Sequence, residues 1–134
     1  YDDATARGFL HSHSYTGNPL ACRAALATLD IFVEDDVLKQ NVARAQKLWN
    51  ALAPLADHPQ IKHLRQRGMI VAFDVITSDP AFSRRFYRAA LANEALIRPI
   101  GNTVYLMPPY IVGDEEIAHL GQATANALNE ALVQ

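Results

Sequence analysis

The feature that most limits how this chain can fold is a change of hydrophobic period at Ile61. Before it, apolar residues recur at three- and four-residue steps; after it, Met69, Val71, Phe73 and Val75 alternate with Ile70, Ala72 and Asp74, the two-residue repeat of a strand. Helices therefore come first and strands follow. The spacing predicts a helix from Pro19 to about Val33, ended by the acidic run Glu34-Asp35-Asp36. Asp36 can then cap a second helix whose stripe of Leu38, Val42, Ala45, Trp49, Leu52 and Ala56 is assigned to the core. Pro54 and Asp57-His58-Pro59 stop it.

Beyond Ile61, a weaker strand over Ile61 to Gln66 is separated by Arg67-Gly68 from the clearer one at Met69 to Val75. Asp79-Pro80 opens a third helix with Phe82, Phe86 and Ala89 or Ala90 inward, ending near Asn93 or Glu94. Leu96 to Ile100 and Thr103 to Met107 read as two short strands about a Gly101-Asn102 turn, and Pro108-Pro109 ends the second. A last helix follows Asp114, with Glu115 and Glu116 matching its dipole and Ile117, Leu120, Thr124, Ala127 or Leu128 and Ala131 inward. The order is helix, helix, two strands, helix, two strands, helix. Such runs predict an α+β fold, a small antiparallel sheet covered by helices on one face.

The chain is 134 residues long, enough for one domain with a real core, and half of it is hydrophobic. Its net charge of −2 offers no electrostatic footprint for nucleic acid or an anionic membrane, and no apolar run approaches the roughly 18 residues that span a bilayer. A lone cysteine, Cys22, excludes an intrachain disulfide and suits a reducing, cytoplasmic setting. Tyr1-Asp2-Asp3-Ala4 has no signal-peptide character and no domain-starting pattern, which fits a chain beginning part-way through a protein.

Two stretches carry chemistry. His11-Ser12-His13-Ser14-Tyr15-Thr16-Gly17-Asn18-Pro19 is hydroxyl-rich and runs into an alanine-rich helix. Asn18 is a favoured N-cap, and Pro19 suits the first helical position. The helix N–H groups, its positive dipole end and the hydroxyls of Ser12, Ser14, Tyr15 and Thr16 can hold a phosphate or carboxylate; equally, the hydroxyls can simply satisfy their own loop. The second stretch is Leu96-Ile97-Arg98-Pro99-Ile100-Gly101-Asn102-Thr103-Val104-Tyr105-Leu106-Met107-Pro108-Pro109-Tyr110. Arg98, flanked by apolar residues, can grip a carboxylate with its planar fork or merely snorkel from a sheet edge. Tyr105 needs a partner for its hydroxyl if it is buried.

Other chemistries are poorly served. The five histidines lack the partners and spacing of a metal site, so no metal ligand is assigned. The alanine-rich surroundings of Cys22 favour a small buried hydrophobe over a nucleophile. Trp49 is assigned to packing.

Ser14-Tyr15-x-Gly17-Asn18-Pro19, the Arg67-Gly68-Met69 region and Arg98-Pro-x-Gly-Asn followed by Leu-Met-Pro-Pro-Tyr resemble, over essentially the whole chain, the class III aminotransferases of fold-type I. Within them the likeness is to the biotin-biosynthetic family that transfers an amino group from S-adenosylmethionine to 8-amino-7-oxononanoate, giving 7,8-diaminononanoate. The resemblance implies pyridoxal 5'-phosphate as cofactor and a cytoplasmic homodimer with shared active sites. It places Ser14, where the family usually has threonine, at the cofactor phosphate. Arg98 falls at the substrate carboxylate and Tyr105 in the substrate pocket. It also implies that residues 1–18 end a large-domain segment and that 19–134 form the C-terminal small domain. The cofactor lysine has no counterpart here: Lys39, Lys47 and Lys62 are the only lysines, and none lies in a similar context. The resemblance therefore assigns no catalytic residue and implies an inactive fragment of a longer enzyme. The alternatives are another class III ω-aminotransferase and a non-catalytic dimerisation or binding domain.

Overall fold

The computed structural model describes residues 16–133. They fall into two compact units that divide after Asp36.

The first contains helix α1, Pro19–Glu34. Gly17 turns the backbone at φ +79°, a conformation costly for any residue with a Cβ, and Asn18 then caps the helix. Such a cap contributes on the order of 1 kcal/mol. None of α1's residues is buried, and Leu20, Leu29 and Val33 stand exposed. Cys22, expected to be buried, is exposed as well.

The second unit starts with helix α2, Val37–Leu52, continued by a 3-10 turn over Ala53–Asp57. Strands β1, Ile61–Arg67, and β2, Ile70–Val75, follow; then come helix α3, Phe82–Ala92, strand β3, Thr103–Leu106, and helix α4, Asp114–Leu132. The sheet is antiparallel, in the order β1-β2-β3. Arg67 pairs with Ile70, so Gly68 and Met69 form a tight turn, with Gly68 at φ +54°. The register also slips between Lys62 and Arg65, where His63 takes φ +54°, so β1 carries a bulge of its own.

Alternation decides the faces. Val71, Phe73 and Val75 of β2 and Val104 and Leu106 of β3 are buried, while Ala72, Asp74, Thr103 and Tyr105 on the opposite face are half-buried. The buried face shares one core with Leu48 and Leu52 of α2, Phe82 and Phe86 of α3, and Ile117, Ala127 and Leu128 of α4. Helix α4 packs on both α2 and α3. Asn93, the C-cap of α3, ties the second contact by accepting from Asn126 Nδ2 at 2.9 Å and donating to Glu130 at 3.0 Å.

Two further expectations are corrected. The inward stripe of α2 is Asn41, Ala45, Leu48 and Leu52, with Trp49 half-buried and packed against the same core as expected, whereas Leu38, Val42 and Ala56 are exposed. Both stripes run at three- and four-residue steps and share Ala45 and Leu52, so periodicity alone could not separate them. The run from Leu96 to Ile100 forms no ladder strand. Its only pairing is a bridge from Ile100 to Thr103 around the Gly101-Asn102 turn, and Pro99 has no N–H to offer a longer ladder along the outer edge of β3.

Candidate functional site

At the start of α1 the geometry alters the anion reading. Asn18 Oδ1 accepts from Leu20 N at 2.9 Å and Ala21 N at 3.3 Å, and Cys22 N donates to Asn18 O at 2.9 Å. Pro19 has no N–H. The first-turn donors are therefore already engaged, and a phosphate here would rely on the helix dipole and the upstream hydroxyls. Ser14 and Tyr15 lie outside the described residues.

Arg98 and Tyr105 come from different elements and meet at one cavity of about 640 Å³. Glu94, at φ +57°, turns the chain out of α3 into an extended segment in which Ala95 and Ile97 are buried and Leu96 and Arg98 exposed. Tyr105 opposes Ala72 in the ladder and points to the face away from Val104 and Leu106. The guanidinium of Arg98 and the hydroxyl of Tyr105 have no hydrogen-bond or ionic partner among the described residues. Other basic side chains do: Arg85 pairs with Asp79 at 2.6 Å, and Lys47 reaches both oxygens of Asp114 at 2.7 Å.

The cavity wall is mostly apolar, with Leu96, Met107 and Ile111 among its residues. An arginine free of partners at such a wall is suited to an anionic head on an apolar chain. Helix α4 supplies Glu116, His119 and Leu120 to the same wall, although their sequence pattern marks only a helix. Glu116 is partly committed, its Oε2 accepting from Gly113 N at 2.9 Å to complete the α4 start. No sequence signal marks His119, an exposed residue on a helix otherwise read from its apolar positions.

On the same sheet face Asp74 joins all three strands. Its Oδ1 accepts from Thr103 Oγ1 at 2.7 Å and from Arg65 at 3.4 Å, while Oδ2 accepts from His63 Nδ1 at 2.9 Å. The Thr103 and His63 hydrogen bonds, with the Arg65 charge behind them, hold the carboxyl down at about 2 against its ordinary 3.8.

The described residues do not complete a pyridoxal phosphate site. Lys47 is held by Asp114, Lys39 and Lys62 are exposed on α2 and β1, and none of the three lines the cavity of Arg98 and Tyr105. No cluster of histidine, cysteine and carboxylate side chains suited to a metal ion occurs among the described residues, and no helix there is long and apolar enough to cross a membrane.

A profile of the aminotransferase class-III family matches residues 3–128. The chain is 43% identical over 129 residues to the adenosylmethionine-8-amino-7-oxononanoate aminotransferase of Helicobacter pylori, covering 92% of this chain and 30% of that protein. The crystal structure of the enzyme of the same name from Methanocaldococcus jannaschii superposes with a TM-score of 0.83 at 30% identity, over 92% of this chain and 30% of that one. An amine transaminase from an uncultivated Pseudomonas species, solved in its pyridoxal phosphate-bound internal aldimine form, gives 0.80 at 29% identity, over the same shares. The chain thus spans less than a third of the length of these relatives.

Proposed function

The chain belongs to the class III aminotransferase family, and from that premise we propose that it is the C-terminal part of a pyridoxal phosphate-dependent enzyme that aminates 8-amino-7-oxononanoate with S-adenosylmethionine as donor. In this reading residues 1–18 end the large-domain segment and 19–134 form the small domain. The enzyme works as a cytoplasmic homodimer, and the fragment is inactive alone. The cofactor supplies the electron sink for amino transfer when bound, and the rest of the enzyme supplies the lysine that this chain lacks. Of the residues in hand, Ser14 donates its hydroxyl to the cofactor phosphate. Arg98 holds the substrate carboxylate, fixing the far end of the keto acid, and Tyr105 lines the wall along which the aliphatic chain lies.

The observation that carries the reading is the unpartnered Arg98 at the edge of an apolar cavity shared with Tyr105. A keto acid with a polymethylene tail fits both properties, each buried methylene contributing about 0.8 kcal/mol and the carboxylate taking the guanidinium. Amino-donor preference in the full-length enzyme tests it. S-adenosylmethionine should support amination of 8-amino-7-oxononanoate, and simple ω-amines should not. Preference for ω-amines would favour a general ω-aminotransferase, a reading supported by the likeness to the Pseudomonas amine transaminase; no turnover with any donor would favour a non-catalytic domain.

A further inference from the structure

Arg98 borders a second depression, of about 600 Å³, whose other walls come from the start of α3: Pro80, Ala81, Ser83, Arg84 and Tyr87, with Pro99 beside Arg98. Its lining holds two arginines and no carboxylate. Arg84, like Arg98, has no hydrogen-bond or ionic partner among the described residues, although the adjacent Arg85 is paired with Asp79. The acid at this end of α3 is thus spent on the arginine that lies outside the depression's lining. The Tyr87 hydroxyl is also without a partner among the described residues.

Two elements far apart in sequence are pinned together here. Ser83 Oγ donates to Pro99 O at 3.2 Å, fixing the first turn of α3 against the residue that follows Arg98. Two arginines lining one depression with no carboxylate among its walls leave like charge uncompensated there, and an anion between them would offset it while accepting hydrogen bonds from both. The anion's chemistry follows from the other side of Arg98. Because Arg98 also lines the apolar cavity, a ligand reaching both places carries an apolar chain ending in a carboxylate.

We propose that Arg84 is a second carboxylate-binding residue, which with Arg98 and the Tyr87 hydroxyl closes a two-guanidinium site around the terminal carboxylate of the keto-acid substrate. The proposal rests on the Arg98 reading above and adds a residue that no motif singled out. It also sets specificity: substrates ending in an uncharged group lose both arginines at once.

Steady-state kinetics on the full-length enzyme test it with Arg84→Ala, Arg84→Gln and Arg84→Lys, Arg98→Ala for comparison, and the methyl ester of 8-amino-7-oxononanoate as a carboxylate-free substrate. Arg84→Ala and Arg84→Gln should raise KM for the acid by about 10- to 150-fold, the range for losing one hydrogen bond to a charged group, with kcat falling less. Arg84→Lys should recover part of the loss, and KM for the ester should stay put. An unchanged KM for the acid in Arg84→Ala, beside a raised one in Arg98→Ala, overturns the Arg84 site and leaves Arg98 in place. Unchanged values in both overturn the reading beneath it. Equal losses on acid and ester mark Arg84 as structural and also overturn the proposal.

Discussion

Replacing Asp74 with asparagine removes the charge at a side chain that links all three strands and keeps its shape. The folded carboxyl sits at about 2 against an ordinary 3.8, so it holds its proton more weakly when folded than when unfolded. At roughly 1.36 kcal/mol per pH unit the shift is worth about 2.4 kcal/mol at most, and with the side chain 22% exposed to screening solvent about 1–2 kcal/mol is the reasonable figure. A depressed carboxyl contributes all of this above about pH 5, loses it as pH falls through 3.8 toward 2, and contributes nothing below. The substituted amide cannot titrate, though its carbonyl can still accept from Thr103. Urea unfolding of the 134-residue chain, followed by circular dichroism from pH 6 to pH 2, should therefore show the original chain more stable than Asp74→Asn by about 1–2 kcal/mol at pH 6, with the gap closing toward pH 2. A gap that stays constant with pH would refute the electrostatic account and leave only a packing difference.

At Gly121 an added Cβ would lie 2.9 Å from Ala51 O and 3.1 Å from Ala51 Cβ, where α4 crosses α2. Gly121→Ala should therefore lower stability by about 0.5–2 kcal/mol, the clash outweighing the roughly 1 kcal/mol that alanine gains in helix propensity; a raised melting temperature would contradict the close approach. In the full-length enzyme, Ser14→Ala should weaken pyridoxal phosphate retention by about 1–3 kcal/mol, measured by dialysis and absorbance, and unchanged retention would return Ser14 to its own loop.

How much of this is legible in the sequence depends on whether local pattern or tertiary pairing decides the outcome. The α+β class, the Asn18 cap, the end of α3, the start of α4 and the Gly101-Asn102 turn follow from residues whose backbone preferences act within a few positions. The α2 stripe misleads because two stripes share its period, and only the packing on α4 selects the one with Asn41 and Leu48. The false strand at Leu96 to Ile100 has strand-like composition, but only Ile100 lies in register with β3, and where the rest of the segment runs is a tertiary matter. Arg98 and Tyr105 are picked out by their motif, and the structure brings both to one cavity. His119 and Arg84 reach the two cavities from helix faces that read as plain solvated surface.

The central claim is that Arg98 holds the keto-acid carboxylate, and the two half-reactions of the full-length enzyme separate it from a structural role. Arg98→Ala should raise KM for 8-amino-7-oxononanoate by an amount corresponding to roughly 2–5 kcal/mol, the cost of breaking a desolvated charge pair, while disturbing the S-adenosylmethionine half-reaction less. Equal losses in both half-reactions, or a lowered melting temperature with kinetics otherwise intact, would contradict the claim and make Arg98 part of the scaffold.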